Sequence, residues 1–282
     1  MAATVIVVAA AAYLIGVARV ARAGGRWPLH STALFVAVGL GSFAAVSFGV
    51  LGVLSADLRW AFTTRVALLL VVVPAAIAAG RPLALLRAAS GERGRARLDR
   101  VLASRVVRLF GNAMFATLSS AAVFTLFLTP LAGIARTSPA TEDALTVVVP
   151  MLGLLMVLPI AEDAAARTSL FITVEFLLAF VELIIDAIPG IVLRITPAVL
   201  DQVPRAAALA SWWPSPLRDQ QLAGDLLWFI AEVADVPILI VLGIRWARSD
   251  RREARSYDEL SDEELAELTR QHLHGPRAAP DR

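Results

Sequence analysis

The chain has 282 residues, of which 58% are hydrophobic, and a formal net charge of +2 at neutral pH. Its mean hydropathy of +0.71 is too high for a typical water-soluble domain, so the composition indicates an integral membrane protein. The chain contains no cysteine, and all 26 of its Lys-plus-Arg residues are arginine. This composition excludes disulfides, thiolate metal sites, cysteine nucleophiles and Schiff-base lysines.

Seven stretches of the chain are apolar over roughly the ~20 residues that a membrane-spanning helix needs. We predict an all-α, polytopic membrane bundle of about seven transmembrane helices, since a backbone exposed to lipid must satisfy its own hydrogen bonds. The predicted spans are 3–19, 33–54, 62–80, 109–134, 144–160, 170–193 and 223–244. We interpret the first as a retained helix and not as a signal peptide, because arginines follow it and none precede it.

Arginines are concentrated in the segments that follow the first, third and seventh predicted spans. They include Arg19, Arg22, Arg26, Arg81, Arg87, Arg93, Arg95, Arg97, Arg100, Arg105, Arg108, Arg245, Arg248, Arg251, Arg252 and Arg255. Alternating spans place the three segments on one side, which the positive-inside rule makes cytoplasmic. We therefore predict a multi-pass protein of the bacterial plasma membrane, with its N-terminus outside and its C-terminus inside. Residues 1–248 would form the transmembrane domain, and residues 249–282 a charged cytoplasmic tail with a short amphipathic helix.

Carboxylic acids form two rows inside the last two predicted spans. They are Glu175, Glu182 and Asp186 in the sixth span, and Asp225, Glu232 and Asp235 in the seventh. Spacings of seven and four, and of seven and three, place each trio on one helix face. An ionised carboxylate at the bilayer centre costs at least ~2.5–3.5 kcal/mol, so such groups face a partner, a cavity or a pathway. We predict that the rows converge, either as a proton or cation site or as an ion-pair network that also involves Arg65 and Asp219.

The remaining motifs give no sign of catalysis. The sequence lacks a Gly-rich phosphate loop, an HExxH zinc motif and a GxSxG nucleophile motif, and we predict no enzymatic activity. The predicted spans contain no histidine, and His272 with His274 near the C-terminus is a weak metal motif. No cofactor is therefore predicted from the residues. A metal bound by the carboxylates would be an oxygen-preferring ion such as Mg²⁺, Ca²⁺ or Mn²⁺ sooner than copper.

Several short motifs carry a family resemblance. In the seventh-span region they are Asp219-Gln220, Ala223-Gly224, Trp228, Glu232, Pro237, Trp246 and the charged exit at 249–255. Earlier in the chain they are Tyr13-Leu14, Gly16, Trp27-Pro28, Pro74, Gly80 and Thr129-Pro130. With these residues the chain resembles the CtaG-like cytochrome c oxidase assembly family over most of its seven-helix body.

The resemblance implies a plasma membrane protein that assists oxidase maturation, with oxidase subunits as partners and a link to copper delivery. The family's paired histidines near the outer end of the third span have no counterpart in residues 58–66. Copper ligands are therefore not transferred to Arg65, Glu182 or Asp186. Such a chain would be a divergent member in which an arginine–carboxylate network replaces the metal site.

Two other functions fit the same residues. The intramembrane carboxylates could serve a small ion- or proton-coupled carrier. Alternatively, the arginine-rich cytoplasmic segments could make the protein a membrane scaffold that binds anionic lipid or a partner domain, since each basic residue near the surface contributes ~1 kcal/mol. Membrane lipid is a predicted partner in every case, and nucleic acid in none.

Overall fold

The computed structural model describes residues 1–110, 113–162, 169–201, 203 and 213–258. These residues form α-helices and one π-helical segment and contain no β-strand, which confirms the predicted all-α class. In chain order the elements are α1 (Ala2–Arg22), α2 (Leu29–Ala33), the π-helix (Leu34–Leu40), α3 (Gly41–Phe48), α4 (Val50–Leu54), α5 (Arg59–Leu70), α6 (Val72–Ala79), α7 (Pro82–Ala89), α8 (Glu92–Leu102), α9 (Arg105–Phe110), α10 (Ala113–Leu126), α11 (Leu131–Thr137), α12 (Pro139–Glu162), α13 (Ser169–Ile195) and α14 (Pro216–Asp258).

Within the described residues, four helical stretches are long and apolar enough to cross a membrane: Ala2–Arg22, Leu29–Leu54, Arg59–Ala79 and Pro139–Leu158. A fifth is present if the bent pair of α10 and α11 is one span. These apolar helices are those of a membrane protein, as predicted. The sixth and seventh predicted spans lie within α13 and α14, but the total of seven and the orientation of the termini stay predictions.

The stretch Arg59–Ala79, called the third span below, is the most enclosed of the four. It is made of α5 and α6, which meet at Val71. Pro74 has no backbone N–H, so the carbonyl group of Leu70 lacks its usual helical donor. Gly153 of α12 lies against this point, because a Cβ atom built on it would lie 2.5 Å from Cγ of Pro74. The lack of a side chain at Gly153 thus lets α12 pack directly against the third span beside Pro74.

The predicted fourth span, 109–134, is not one straight helix. α10 ends at Leu126, α11 begins at Leu131, and the two are inclined by 80°. Pro130 explains the break, because it cannot donate a backbone hydrogen bond and its ring opposes helix continuation. Thr129 supports the turn by donating from its hydroxyl group to the carbonyl oxygen of Leu126 at 2.8 Å.

The last two helices, α13 and α14, pack along each other more extensively than any other pair among the described elements. Their backbones approach at Gly190 and Gly224: a Cβ atom built on Gly224 would lie 2.5 Å from the carbonyl oxygen of Gly190. Small residues allow this close helix packing in membranes. α14 runs to Asp258, past the predicted boundary at residue 248. Residues 259–282, where the amphipathic tail helix is predicted, lie outside the described residues.

Candidate functional site

A buried polar cluster lies at the Arg59 end of the third span. We call it the framework cluster, and its members are Arg59, Arg136, Asp201, Asp219 and Gln220. All five are buried, with relative exposures of 6% or less. Two arginines and two aspartates balance in formal charge, which is the condition under which ionised groups persist in a low-dielectric interior.

Asp219, at the start of α14, caps the N-terminus of α5. One of its carboxylate oxygens accepts from the backbone N–H of Arg59 and the other from that of Trp60, both at 2.9 Å. The first backbone N–H groups of a helix have no intrahelical partner. The residue at the usual capping position, Leu58, has no side chain able to accept them. The carboxylate therefore replaces a local cap and joins two helices that are 160 residues apart in sequence.

Arg59 extends the cluster through its side chain. Its guanidinium group donates to the side-chain oxygen of Gln220 at 2.8 Å and to the backbone carbonyl of Phe127. Phe127 follows the last residue of α10, so this carbonyl belongs to the break before α11. A buried arginine thus satisfies a backbone acceptor that the broken helix leaves without a helical donor.

Gln220 connects α14 to the chain that follows α13. Its side-chain oxygen also accepts from the backbone N–H of Leu200 at 2.9 Å, and its amide nitrogen donates to the carbonyl of Ala198 at 2.9 Å. The side chain is completely buried. Because a buried amide must use its donors and acceptors, Gln220 fixes the path of this connecting segment.

Arg136 and Asp201 form the most deeply buried ion pair among the described residues. The Nε of Arg136 donates to a carboxylate oxygen of Asp201 at 2.9 Å, and both side chains are no more than 4% exposed. Arg136 also donates to the carbonyl of Ala56 at 2.6 Å. The pair therefore ties α11 to the turn before α5 and to the segment after α13.

Arg65 belongs to a second cluster, one to two turns further along α5. It donates to Glu142 at 2.8 Å, to the hydroxyl of Thr146 at 2.9 Å and to that of Ser55 at 3.2 Å. The arginine is buried, whereas the Glu142 side chain is 40% exposed. The sequence predicts that Arg65 pairs with carboxylates of the sixth and seventh spans, which stays a prediction; its carboxylate partner among the described residues is Glu142, in the first turn of α12.

The described members of the two acidic rows have different surroundings. Asp186 is buried and accepts a 2.5 Å hydrogen bond from Ser120 of α10. Asp225 pairs with Arg194 at 2.9 Å, and these side chains are 41% and 45% exposed. Glu232 is exposed. The side chains of Glu175, Glu182 and Asp235 lie outside those described, so convergence of the rows stays a prediction.

Residues of the family resemblance also meet at the Gly80 end of the third span. The Tyr13 hydroxyl donates to the carbonyl of Gly80 at 2.8 Å and accepts from the indole N–H of Trp27 at 3.0 Å. The Tyr13 ring stacks on Phe35 with centroids 4.0 Å apart. Tyr13, Trp27 and Gly80, which are far apart in sequence, therefore form one contact at the end opposite to Asp219.

Metal binding finds no support in the described residues. They contain no group of three or more His, Cys, Asp or Glu side chains placed to hold an ion. At the Arg59 end of the third span, the buried side chains include two arginines, Arg59 and Arg65. Guanidinium groups cannot ligate a cation and would repel it electrostatically.

Sequence reasoning missed Arg59, Arg136, Asp201, Glu142 and Ser120. A signal existed for the two arginines. They lie next to apolar stretches on the predicted outer side of the membrane, where the positive-inside rule leads us to expect few arginines. Arginines in that position need a carboxylate partner, and Asp201 and Asp219 lie on the same predicted side.

Comparison with known proteins gives one match that covers most of the chain. The family described as "Cytochrome c oxidase caa3 assembly factor (Caa3_CtaG)" matches residues 11–249. Two uncharacterized proteins, one from Mycobacterium bovis and one from Mycobacterium tuberculosis, are each 34% identical to this chain over 56 residues. That segment is 20% of this chain but only 8% of each relative, so the chain spans a small part of their length. No solved structure matches the chain.

Proposed function

Because this chain belongs to the cytochrome c oxidase caa3 assembly factor family, we propose that it assists oxidase maturation as a non-enzymatic, multi-pass protein of the bacterial plasma membrane. The match over residues 11–249 carries the proposal, since it runs from within α1 into α14 and so takes in most of the helical body. It also confirms the resemblance carried by Asp219-Gln220 and Ala223-Gly224. The partners in this role are oxidase subunits and membrane lipid.

The framework cluster supports a holding role. Asp219 accepts from the backbone N–H of Arg59. Arg136 donates to the backbone carbonyl of Ala56, and Gln220 donates to that of Ala198. Such bonds fix the relative positions of α5, α11, α14 and the segment after α13. Within the described residues, Arg59 Nε and one carboxylate oxygen of Asp201 are buried without a hydrogen-bond partner, while the other polar groups of the cluster bond within the protein. An end of the bundle joined in this way suits a protein that presents a surface to a folding partner.

The residues present do not fit a copper site. Cu(I) prefers thiolate, thioether and imidazole ligands. The chain has no cysteine, and its three histidines are His30, which is exposed in the first turn of the stretch Leu29–Leu54, and His272 and His274 near the C-terminus. Arg59 and Arg65 occupy the buried end of the third span. We therefore derive no copper-transfer step through this chain and place its contribution in holding or ordering an assembly intermediate.

The carrier alternative receives less support. A proton- or cation-coupled carrier needs carboxylates that exchange partners during transport. Asp186 is bonded to Ser120, Asp225 to Arg194 and Asp201 to Arg136. Contacts of this kind favour an ion-pair and hydrogen-bond framework, which is one of the two interpretations that the sequence leaves open.

The proposal is tested by deleting the coding sequence from the source bacterium. We expect the haem absorbance of membrane-bound cytochrome c oxidase and its oxygen uptake to fall, and to return with the wild-type chain. Complementation with Gly224→Leu, which separates α13 from α14, should restore neither. The matched control is Phe229→Leu, five residues further along α14, whose side chain is 62% exposed and which should complement. Unchanged oxidase spectra and activity in the deletion strain would refute the proposal.

A further inference from the structure

An elongated apolar groove runs along one side of the bundle between α1, α6, α7 and α12. Its volume is about 580 Å³, and apart from Thr4 and Thr146 its lining is apolar. Representative lining residues are Val8, Ala12, Phe43, Leu86, Met151 and Leu154. Volume and lining are within the range of small-molecule sites, which are concave and mostly hydrophobic.

The length and the lining of the groove suit a hydrocarbon chain. The lining on α12 runs from Thr146 to Leu158, twelve residues apart, so at a rise of 1.5 Å per residue the groove is about 18 Å long. An apolar groove of this length buries one hydrocarbon chain against side chains of the same character.

An arginine lies next to one end of the groove. Pro82 and Leu83 line that end, and the residue that precedes them, Arg81, is exposed and begins the arginine-rich segment. Arg81 is the one residue other than glycine with a left-handed backbone among those described, with φ of 56°. A side chain in this conformation costs about 1–2 kcal/mol that glycine would not incur. The positive charge of Arg81 complements an anionic group beside these two lining residues.

We propose that this groove is a binding site for an anionic phospholipid. One acyl chain occupies the space between α1 and α12, and the phosphate pairs with Arg81. The groove extends from Thr146, a hydrogen-bond partner of Arg65, to Pro82 beyond the Gly80 end of the third span, and none of its lining residues belongs to the framework cluster. The inference does not depend on the role in oxidase assembly.

The test measures lipid binding to delipidated, detergent-solubilised protein by native mass spectrometry. The probes are phosphatidylglycerol and phosphatidylcholine with identical acyl chains. Since one arginine near an anionic lipid surface contributes ~1 kcal/mol, we expect wild-type protein to prefer phosphatidylglycerol by about fivefold. Arg81→Asn should remove the preference and leave phosphatidylcholine binding unchanged, because asparagine tolerates the left-handed conformation. Arg100→Asn, which removes an equal charge from exposed α8, should keep the preference.

A second pair of variants tests the groove itself. Ala12 and Ala11 are adjacent and both exposed, but only Ala12 lines the groove. Ala12→Trp should fill the space and weaken binding of both lipids at least about tenfold, a loss of the order expected when apolar burial is blocked. Ala11→Trp should bind like the wild type. Equal binding by the two tryptophan variants, equal affinity of the wild type for both lipids, or a preference that survives Arg81→Asn would each overturn the proposal.

Discussion

Removal of the Asp219 carboxylate should destabilise the fold more than its position at the start of a helix suggests. The side chain accepts two buried backbone N–H groups, those of Arg59 and Trp60, at 2.9 Å each. A helix cap is worth ~0.5–2 kcal/mol, and each buried donor left without an acceptor costs ~1–3 kcal/mol. We expect Asp219→Ala to lower the free energy of unfolding by about 2–4 kcal/mol. Asp219→Asn keeps one acceptor oxygen, so it should lose about half as much.

The assay is unfolding by SDS in mixed micelles, followed by tryptophan fluorescence. The matched control is Asp225→Ala, six residues further along α14. Its carboxylate pairs with Arg194, but the two side chains are 41% and 45% exposed. Exposed pairs contribute ~0–1 kcal/mol, so this variant should unfold close to the wild type. If Asp219→Ala is no less stable than Asp225→Ala, the capping argument is refuted.

Three further outcomes follow from the structure. Asp201→Asn leaves the buried Arg136 without its counter-charge and should lower the free energy of unfolding by ~3–5 kcal/mol. The double variant Asp201→Leu/Arg136→Met should recover most of this loss. If the effects of changing the two residues on the unfolding midpoint simply add, the buried pair is contradicted. Gly153→Leu should destabilise the protein by more than the ~1–3 kcal/mol of ordinary overpacking, because its side chain meets the backbone of Leu70; retention of wild-type stability would show that α12 does not pack there. Copper in detergent-purified protein, measured by inductively coupled plasma mass spectrometry, should be far below one atom per chain; stoichiometric copper would contradict the donor-set argument.

Hydropathy predicted the positions of two helices to within three residues but missed both ends of α14. The predicted span 62–80 corresponds to Arg59–Ala79, and 170–193 to Ser169–Ile195. The predicted 223–244 is far shorter than α14, because hydropathy reports the part that suits lipid and a helix continues through polar flanks. Local chemistry marks the true start of α14: the hydroxyl of Ser215 accepts from the N–H of Arg218 at 3.3 Å, and Pro216 opens the helix.

The pairing of residues within the framework cluster could not be predicted from the sequence, for a different reason. Asp219 was included in the predicted ion-pair network, but its partners at Arg59 and Trp60 lie about 160 residues away. Periodicity describes one helix at a time and does not specify which helices are neighbours. The same limit applies to Arg65, for which the sequence offered several carboxylates and the structure places Glu142 beside it.

The amount of fully assembled cytochrome c oxidase relative to its separate subunits tests the proposed role most directly. It can be measured on blue-native gels of membranes from the deletion strain, with antibodies against two oxidase subunits. We expect both subunits to be synthesised while the assembled complex falls and smaller subcomplexes accumulate. Assembled oxidase at the wild-type proportion would contradict a role in maturation.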